Sequence, residues 1–526
     1  MRVAVAAQIK RGKSTLVNAM LRQDVAPTAQ LEATFTVSEF YAAPQPEVTV
    51  YFSDGTPPLR VAPEDFRSYT VNDPKQTALL RRIRKVEYGI SNSLLSRFRL
   101  LDTPGLGSIY HADSQNALHT LGVEGFLDTE EQALLEKALS RVGRTASDMH
   151  NDTVQAIDGA DAVLYLFDRG LNQRDASVVA RFLGPLGPSL TALKVIGVLS
   201  RCDQYWPATD VSSDADPLTH DPLQIGRTIA ARRMAEPEMR RMFFRILPVA
   251  ALVSAGALTL DEERLGWLDE LSGVEPRRVA AALSDANWFA KAERIDAVGL
   301  PRAARATLIA SLGAWGTLKA ALYRREQVPV AELRERLDMD CGVADVRRTL
   351  MEHFGNRAAA LKLDQALLDI AHRITAVRMG AVRSRSATAP VLDAVAGVIE
   401  QIRLSDSELP EIAVLEDYYR GRLDLSEKDM AEILRVTGEH GRSVTARLGE
   451  PEGTPLPALV KLADDRSGRW ANRAEVLGLD GVTAAAARQI SASYGLLSRR
   501  IQTAQQLLAG DEASGEGTET WTYSAS

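Results

Sequence analysis

The feature that most constrains this chain is a Gly-Lys-Ser loop that joins an apolar strand to an amphipathic helix. After the apolar run Val3–Ala6 and before the helix-like Leu16–Leu21, the sequence reads Ala7-Gln8-Ile9-Lys10-Arg11-Gly12-Lys13-Ser14-Thr15. This segment fits G-x-x-x-x-G-K-[ST], with Ala7 in place of the first glycine. Backbone N–H groups at such a helix start point at phosphate, and the helix dipole favours negative charge there. The sequence therefore predicts a phosphate-binding loop.

Each residue type in this loop has a physical reason. Gly12 has no Cβ to obstruct a phosphate, Lys13 would bridge the β- and γ-phosphates, and Ser14 would ligate Mg²⁺. The predicted phosphate contacts are Ala7, Gln8, Lys10, Arg11, Gly12, Lys13, Ser14 and Thr15.

A second motif follows another apolar run, at Leu100-Leu101-Asp102-Thr103-Pro104-Gly105. Asp102 would hold the Mg²⁺ shell, and the Gly105 N–H would reach the γ-phosphate, so that this phosphate would order the loop that follows. In residues 28–36, between the phosphate loop and this motif, a threonine would complete the Mg²⁺ shell. Thr34 is the first candidate and Thr36 the second, although either could be a β-prone residue that enters a strand.

A third motif, Leu199-Ser200-Arg201-Cys202-Asp203, predicts the base. An aspartate here accepts hydrogen bonds from the N1–H and N2–H₂ groups of guanine, and adenine lacks this pair of donors. Arg201 stands where GTPases usually have lysine and could lie over the base, while Ser200 keeps a hydroxyl. Ala250, after an apolar run, would touch the base. The predicted ligands are GTP or GDP with Mg²⁺.

Short apolar runs alternate with helical stretches over the first ~300 residues, which predicts an α/β domain with a mainly parallel sheet. The predicted strands are Arg2–Ala6, Thr36–Ala42, Glu47–Phe52, Arg97–Asp102, Ala162–Phe167, Lys194–Ser200 and Phe244–Val249. The stretch Thr129–Asp148 predicts a charged helix. With 2 cysteines, a disulfide framework is excluded, and a net charge of −7 gives no sign of a nucleic-acid partner.

Helical periodicity dominates the rest of the chain. Apolar spacing predicts a long helix from Val343 to Val377 with a break near Gly355, and Ser426 three residues before Asp429 predicts a helix cap. Further helices are predicted at Val391–Leu404, Ser426–Gly441 and Thr483–Leu508, with a break at Gly449–Pro457. The predicted domains are 1–260 (GTPase), 261–340 (helical connector), 341–509 (helical trunk) and 510–526 (disordered tail).

With these motifs in place, the chain resembles the dynamin-like GTPases, especially the bacterial branch. Asp102-Thr103-Pro104-Gly105-Leu106-Gly107-Ser108 is nearly identical to that branch's second motif, and Leu199–Asp203 is similar to the variant of the actinobacterial isoniazid-inducible members. The resemblance implies an α/β P-loop GTPase domain, with helices on both faces of its sheet, followed by an all-α helical neck and trunk bundle. Family members carry helices before the first strand, whereas here that strand begins at Arg2. Ile9 stands where eukaryotic dynamins place a catalytic glutamine, so the water-positioning group stays open.

The resemblance also implies partners. Hydrolysis would be stimulated by pairing of GTPase domains, with a higher oligomer or a paralogous dynamin-like protein as further partners. No signal peptide or membrane-spanning run is predicted, so the expected location is cytoplasmic, peripherally bound to the inner face of the cell membrane. The basic stretch 372–390, with Arg373, Arg378, Arg383 and Arg385, would meet an anionic surface, or would be a solvated helix end. The alternative function is a GTP-dependent switch or scaffold for a protein partner, without membrane remodelling.

Overall fold

A computed structural model of the chain describes residues 1–7, 11–27, 36–70, 77–80, 82–103, 160–168, 192–207, 216–296, 298–381, 389–405, 408–476 and 478–514. These residues form two compact units, Met1–Met351 and Glu352–Ser526. The predicted helix Thr129–Asp148 lies outside the described residues.

The described strands of the first unit form one sheet of nine strands in the order β4-β3-β5-β2-β6-β1-β7-β8-β9. Their bounds are β1 (Arg2–Ala7), β2 (Val37–Ala42), β3 (Glu47–Phe52), β4 (Leu59–Val61), β5 (Ile83–Ile90), β6 (Arg99–Asp102), β7 (Ala162–Phe167), β8 (Val195–Leu199) and β9 (Arg245–Pro248). β6, β1, β7, β8 and β9 run parallel to one another. β2 is antiparallel to β6 and β3 is antiparallel to β4 and β5, so the sheet is mainly parallel with a mixed side.

The predicted strands all occur, and the most apolar ones lie at the centre of the sheet. β7 and β8 are buried along their whole length, as expected for parallel strands covered on both faces. β4 and β5 are missing from the sequence prediction. β5 places Arg84, Lys85 and Glu87 among its apolar residues and is only partly buried, so it has no continuous apolar run.

The first unit also contains helices between its strands and after its last strand. They are α1 (Lys13–Leu21), α2 (Phe66–Thr70), α3 (Thr77–Leu80), α4 (Pro222–Met234), α5 (Pro237–Met242), α6 (Ala251–Leu258), α7 (Glu262–Ser272), α8 (Pro276–Leu283), α9 (Ala286–Lys291), α10 (Arg302–Arg325), α11 (Val330–Asp340) and α12 (Val343–Thr349). α10 is kinked at Gly313, whose φ of 69° is left-handed. Gly256 lets α6 approach α10 closely, since a Cβ there would lie 2.0 Å from the carbonyl oxygen of Ser311.

The described elements of the second unit are all helices, joined by turns and loops. A π-helical turn (Leu350–Gly355) leads into α13 (Asn356–Ala381), followed by α14 (Ala389–Ser405), α15 (Glu408–Tyr419), α16 (Glu427–Val436), α17 (Val444–Leu448), α18 (Leu456–Ala474) and α19 (Gly481–Ser514). Its core is built mainly from apolar side chains of α16, α18 and α19 around Trp470 and Tyr494. The predicted cap is present, because the Ser426 hydroxyl accepts a hydrogen bond from the Asp429 N–H at 3.2 Å. The predicted break is also present, since left-handed Gly449 ends α17.

Candidate nucleotide-binding site

The phosphate loop lies at the carboxyl end of the central strand. β1 pairs with β6 on one side and β7 on the other, so Ala7, where β1 ends, lies at the edge of the sheet where both neighbouring strands also end. Gly12 precedes α1 with φ 86°, and a Cβ built on it has no atom within 4 Å. Glycine is favoured here by its backbone conformation and by the open approach it leaves above the helix start. Gln8 and Lys10 lie outside the described residues.

Three side chains meet beside this loop. The Ser14 hydroxyl donates to Asp102 Oδ2 at 2.8 Å, which joins the start of α1 to the end of β6. Asp102 is fully buried and Lys13 is 9% exposed. Burial lowers the pKa of the Lys13 ammonium and raises the pKa of the Asp102 carboxyl, while the attraction between the two charges opposes both shifts. The site thus holds two desolvated charges, which a phosphate and a cation would compensate.

The residues present fit a magnesium ion. Asp102 Oδ1 is buried without a hydrogen-bond partner among the described residues, and Ser14 Oγ lies on the other oxygen of the same carboxylate. A carboxylate and a hydroxyl are the hard oxygen ligands that Mg²⁺ takes beside waters and phosphate oxygens. Within the described part of the chain, no group of three or more His, Cys, Asp and Glu residues could hold a metal alone. A cation here would therefore depend on the nucleotide for further ligands.

The predicted base-reading residues follow β8. Arg201 adopts a left-handed conformation with φ 58°, and a short 3₁₀ turn (Cys202–Tyr205) presents Asp203. Burial raises the pKa of the Asp203 carboxyl to about 6, against the opposing charge of Arg201. The Ser200 hydroxyl donates to the carbonyl oxygen of Phe167 at 3.1 Å, so it ties the loop to β7.

A residue from a distant helix completes the surroundings of Asp203. A Cβ on Gly313, at the kink of α10, would lie 3.3 Å from Asp203 Oδ2. The left-handed backbone at this position makes any larger residue strained as well as crowded. Nothing in the sequence near the base-reading motif points to residue 313, since more than a hundred residues separate the two.

Asp168, directly after β7, is a site residue that the sequence reasoning missed. Its carboxylate forms ion pairs with Arg11 of the phosphate loop and with Arg201 of the base-reading loop, the latter at 4.0 Å. It therefore connects the predicted phosphate loop with the loop that follows β8. The only local signal is its place after a buried strand, next to two strands whose ends carry the motifs.

The loop after β9 is held by residues at the start of α12. The Ala250 N–H donates to the Cys341 carbonyl oxygen at 2.8 Å. Gly342 has φ 77°, and a Cβ there would lie 2.3 Å from the Pro248 carbonyl oxygen. Cys202, beside the base-reading aspartate, is buried, and desolvation raises the pKa of its thiol to about 12, so the thiol is an unreactive packing group.

The two predicted switch segments are described only at their ends. Thr34 and Gly105 lie outside the described residues. Thr36, the second candidate for the switch threonine, is fully buried and its hydroxyl donates to the Tyr69 carbonyl oxygen at 3.4 Å. Asn18 of α1, which the sequence reasoning also missed, fixes the start of the first segment by accepting hydrogen bonds from the Val25 and Ala26 N–H groups.

A strand, phosphate loop and helix at the centre of a mainly parallel sheet, with the Ser14 hydroxyl on Asp102, define a P-loop domain, which a helical region follows in the chain. Residues 3–183 match the model of the dynamin family. The predicted resemblance is thus confirmed: the chain carries a dynamin-family domain and is related to the isoniazid-induced members.

Two relatives show how far the similarity extends. Isoniazid-induced protein IniC of Mycobacterium tuberculosis is 26% identical over 454 residues, which are 85% of this chain and 80% of that protein. The bacterial dynamin-like protein of Nostoc punctiforme is 30% identical over 115 residues, 20% of this chain and 16% of that protein. A solved structure of an oligomerised bacterial dynamin pair aligns with 97% of this chain and 86% of its own, at 13% identity and a TM-score of 0.25.

Proposed function

We propose that this protein is a Mg²⁺-dependent GTPase that hydrolyses GTP to GDP and phosphate, and that it couples turnover to self-assembly at a membrane surface. The observation that carries the proposal is the buried cluster of Lys13, Ser14 and Asp102 at the carboxyl end of the central strand. Two buried opposite charges and an unpartnered carboxylate oxygen match the charges of a nucleotide phosphate and its cation.

In this proposal each residue has a defined task. The amides around Gly12 and the Lys13 ammonium hold the phosphates and stabilise the charge that develops on the transferred group, where most of this catalysis lies. Ser14, Thr34 and Asp102 hold the cation, which neutralises phosphate charge when bound. Gly105 senses the γ-phosphate through its N–H, and Asp203 reads guanine beside Arg201, Ser200 and Ala250. A second copy of the GTPase domain would supply the group that positions water.

Membrane contact is proposed for the region where α13 ends and α14 begins. α14 exposes Val391, Val395 and Val398, at a spacing that places them on one helix face, with exposed fractions of 63%, 39% and 54%. Arg373 is exposed, whereas Arg378 pairs with Asp393 of α14, so the basic stretch is partly neutralised. Arg383 and Arg385 lie outside the described residues. No described helix combines the length and the apolar character needed to cross a membrane.

The test is GTP turnover measured against protein concentration, with and without phosphatidylglycerol vesicles, using Lys13→Ala as the blank. Specific activity should rise with concentration and again with vesicles. Full turnover in the Lys13→Ala variant would refute the assignment of the site.

Vesicle binding is tested separately by sedimentation of Val391→Asp/Val398→Asp, with Val482→Asp as a matched control on an exposed valine of α19. The double variant should stay in the supernatant while the control sediments. In the turnover test, a slow rate that does not change with protein concentration or with vesicles, together with normal GTP binding, would favour a switch or scaffold that docks a protein partner.

A further inference from the structure

The second unit contains a cavity of about 100 Å³ whose wall is dominated by arginine. Four guanidinium groups line it, and they come from separate parts of the helical unit. Its polar lining is Arg357, Glu411, Thr437, Arg442, Arg447 and Arg500. Arg357 and Arg447 are each 6% exposed, whereas Arg442 and Arg500 are exposed. The cavity thus has a buried cationic base and a cationic mouth.

The two buried arginines differ in how far their partners compensate their positive charge. Arg357 donates to the carbonyl and hydroxyl oxygens of Thr437, at 3.0 Å and 3.1 Å, and contacts His353 Nδ1 at 2.7 Å. A guanidinium has five N–H donors, so these bonds use three of them and bring no negative charge. Arg447 donates to the Val436 carbonyl oxygen at 2.5 Å and pairs with Glu411.

The hydrogen-bond partners of Arg357 do not compensate its charge, because Thr437 and His353 are neutral acceptors. Among the described residues, the buried carboxylates near it are Glu411 and Glu439, and Glu411 is paired with Arg447. Burial lowers the pKa of the Arg357 guanidinium, which shows how strongly its charge is desolvated. A buried cation of this kind is stabilised when an anion enters and accepts its remaining N–H groups.

We propose that this cavity is a binding site for a phosphate-type oxyanion, separate from the nucleotide site. Planar guanidinium groups bind tetrahedral oxyanions through paired N–H donors, and four of them converge here. The volume exceeds that of one water molecule several-fold but cannot hold a nucleotide, so the ligand is a single phosphate group. That group can be free phosphate or the exposed phosphate of a lipid headgroup, because the contacts are the same for both.

The test is equilibrium dialysis with radiolabelled inorganic phosphate at constant ionic strength. It is done in a Lys13→Ala background, so that the nucleotide phosphate loop does not contribute. We expect one equivalent to bind, and Arg442→Gln/Arg500→Gln to weaken binding by about tenfold for each arginine removed. These two side chains are exposed, so the fold should tolerate their loss. Arg488→Gln, an exposed arginine on the same helix as Arg500, is the matched control and should bind as the parent does.

The source of the phosphate group is decided by a second arm. Sedimentation with phosphatidic acid vesicles that inorganic phosphate reverses would identify the lipid headgroup, and phosphate binding without sedimentation would identify the free anion. Absence of phosphate binding to the parent, or equal binding by the parent and Arg442→Gln/Arg500→Gln, would overturn the proposal whatever the vesicles do. Neither outcome depends on GTP turnover, so failure here is distinct from failure of the proposed function.

Discussion

The guanidinium of Arg347 donates to the main-chain carbonyl oxygen of Ala19 at 2.8 Å, across 328 positions of sequence. Ala19 lies in the last turn of α1, and its carbonyl oxygen also accepts a hydrogen bond from the N–H of the capping residue Arg22 at 3.3 Å. Arg347 also pairs with Asp338, which in turn pairs with Arg22 at 2.7 Å and accepts the Ser254 hydroxyl at 2.6 Å. The carboxyl end of α1 is therefore anchored to α11 and α12.

We expect Arg347→Ala to lower the free energy of unfolding by roughly 3 kcal/mol, because it leaves Asp338, which is 5% exposed, with one fewer cation. Denaturant unfolding measures this change. Arg348→Ala is the control on the neighbouring residue. It removes only an exposed pair with Asp345, so a loss below about 1 kcal/mol is expected. Equal losses in the two variants would contradict the anchoring role of Arg347.

Replacing Asp203 by asparagine should change base preference. We expect Asp203→Asn to weaken GTP binding by roughly 100-fold or more, because the amide cannot accept from both N–H groups of guanine. Xanthosine triphosphate carries an oxygen in place of the guanine amino group and should bind the variant better than GTP. Titration with both nucleotides checks this. An unchanged preference for GTP would remove Asp203 from the base site.

The same substitution should stabilise the nucleotide-free protein, with a defined pH dependence. Burial raises the pKa of the folded Asp203 carboxyl to about 6, so its destabilising effect is absent below the unfolded value near 4, grows between about pH 4 and 6, and stays constant above that range. We expect Asp203→Asn to raise the free energy of unfolding by on the order of 1 kcal/mol at pH 7.5 and by little at pH 4. Equal effects at both pH values would contradict this origin of the shift.

Asp168 should matter for nucleotide affinity rather than for the chemical step. Asp168→Asn removes the charge that holds Arg11 and Arg201, so both loops lose preorganisation. We expect GTP and GDP affinities to fall together by about tenfold, with a smaller change in kcat. Asp168→Glu keeps the charge and should recover part of the affinity. A fall in kcat at unchanged affinity would contradict the positioning role.

Gly342 should tolerate no side chain. Gly342→Ala combines a left-handed backbone with a Cβ 2.3 Å from the Pro248 carbonyl oxygen, so we expect a loss of roughly 2–3 kcal/mol in unfolding free energy. Gly266→Ala is the matched control. Gly266 lies within α7, a Cβ there meets nothing within 4 Å, and alanine should stabilise it by about 0.5–1 kcal/mol. Thermal or denaturant unfolding separates the two outcomes, and a tolerated Gly342→Ala would contradict the close contact.

The sequence predicts the features that depend on neighbouring residues, and it does not predict contacts between segments far apart in the chain. The apolar runs predict the central strands, and the spacing around Gly12, Asp102 and Asp203 predicts the motifs that follow them. β5 is not predicted because charged residues interrupt its apolar pattern. Asp168 escapes because a single acidic residue after a strand has no characteristic spacing. Gly313 and Gly342 escape because their role depends on contacts with segments about a hundred residues away, which no local pattern encodes.

The kink of α10 at Gly313 limits which segments of this protein can be exchanged with those of a related protein in a chimaera. Gly313 lies against the carboxylate of Asp203, Gly342 lies against the end of β9, and Arg347 contacts α1. A chimaera that exchanged only the strands and motifs would pair one protein's Asp203 with another protein's α10. Residues through about 351 must therefore be inherited together, which makes the unit Met1–Met351, and not the motif-bearing segment alone, the smallest transferable module.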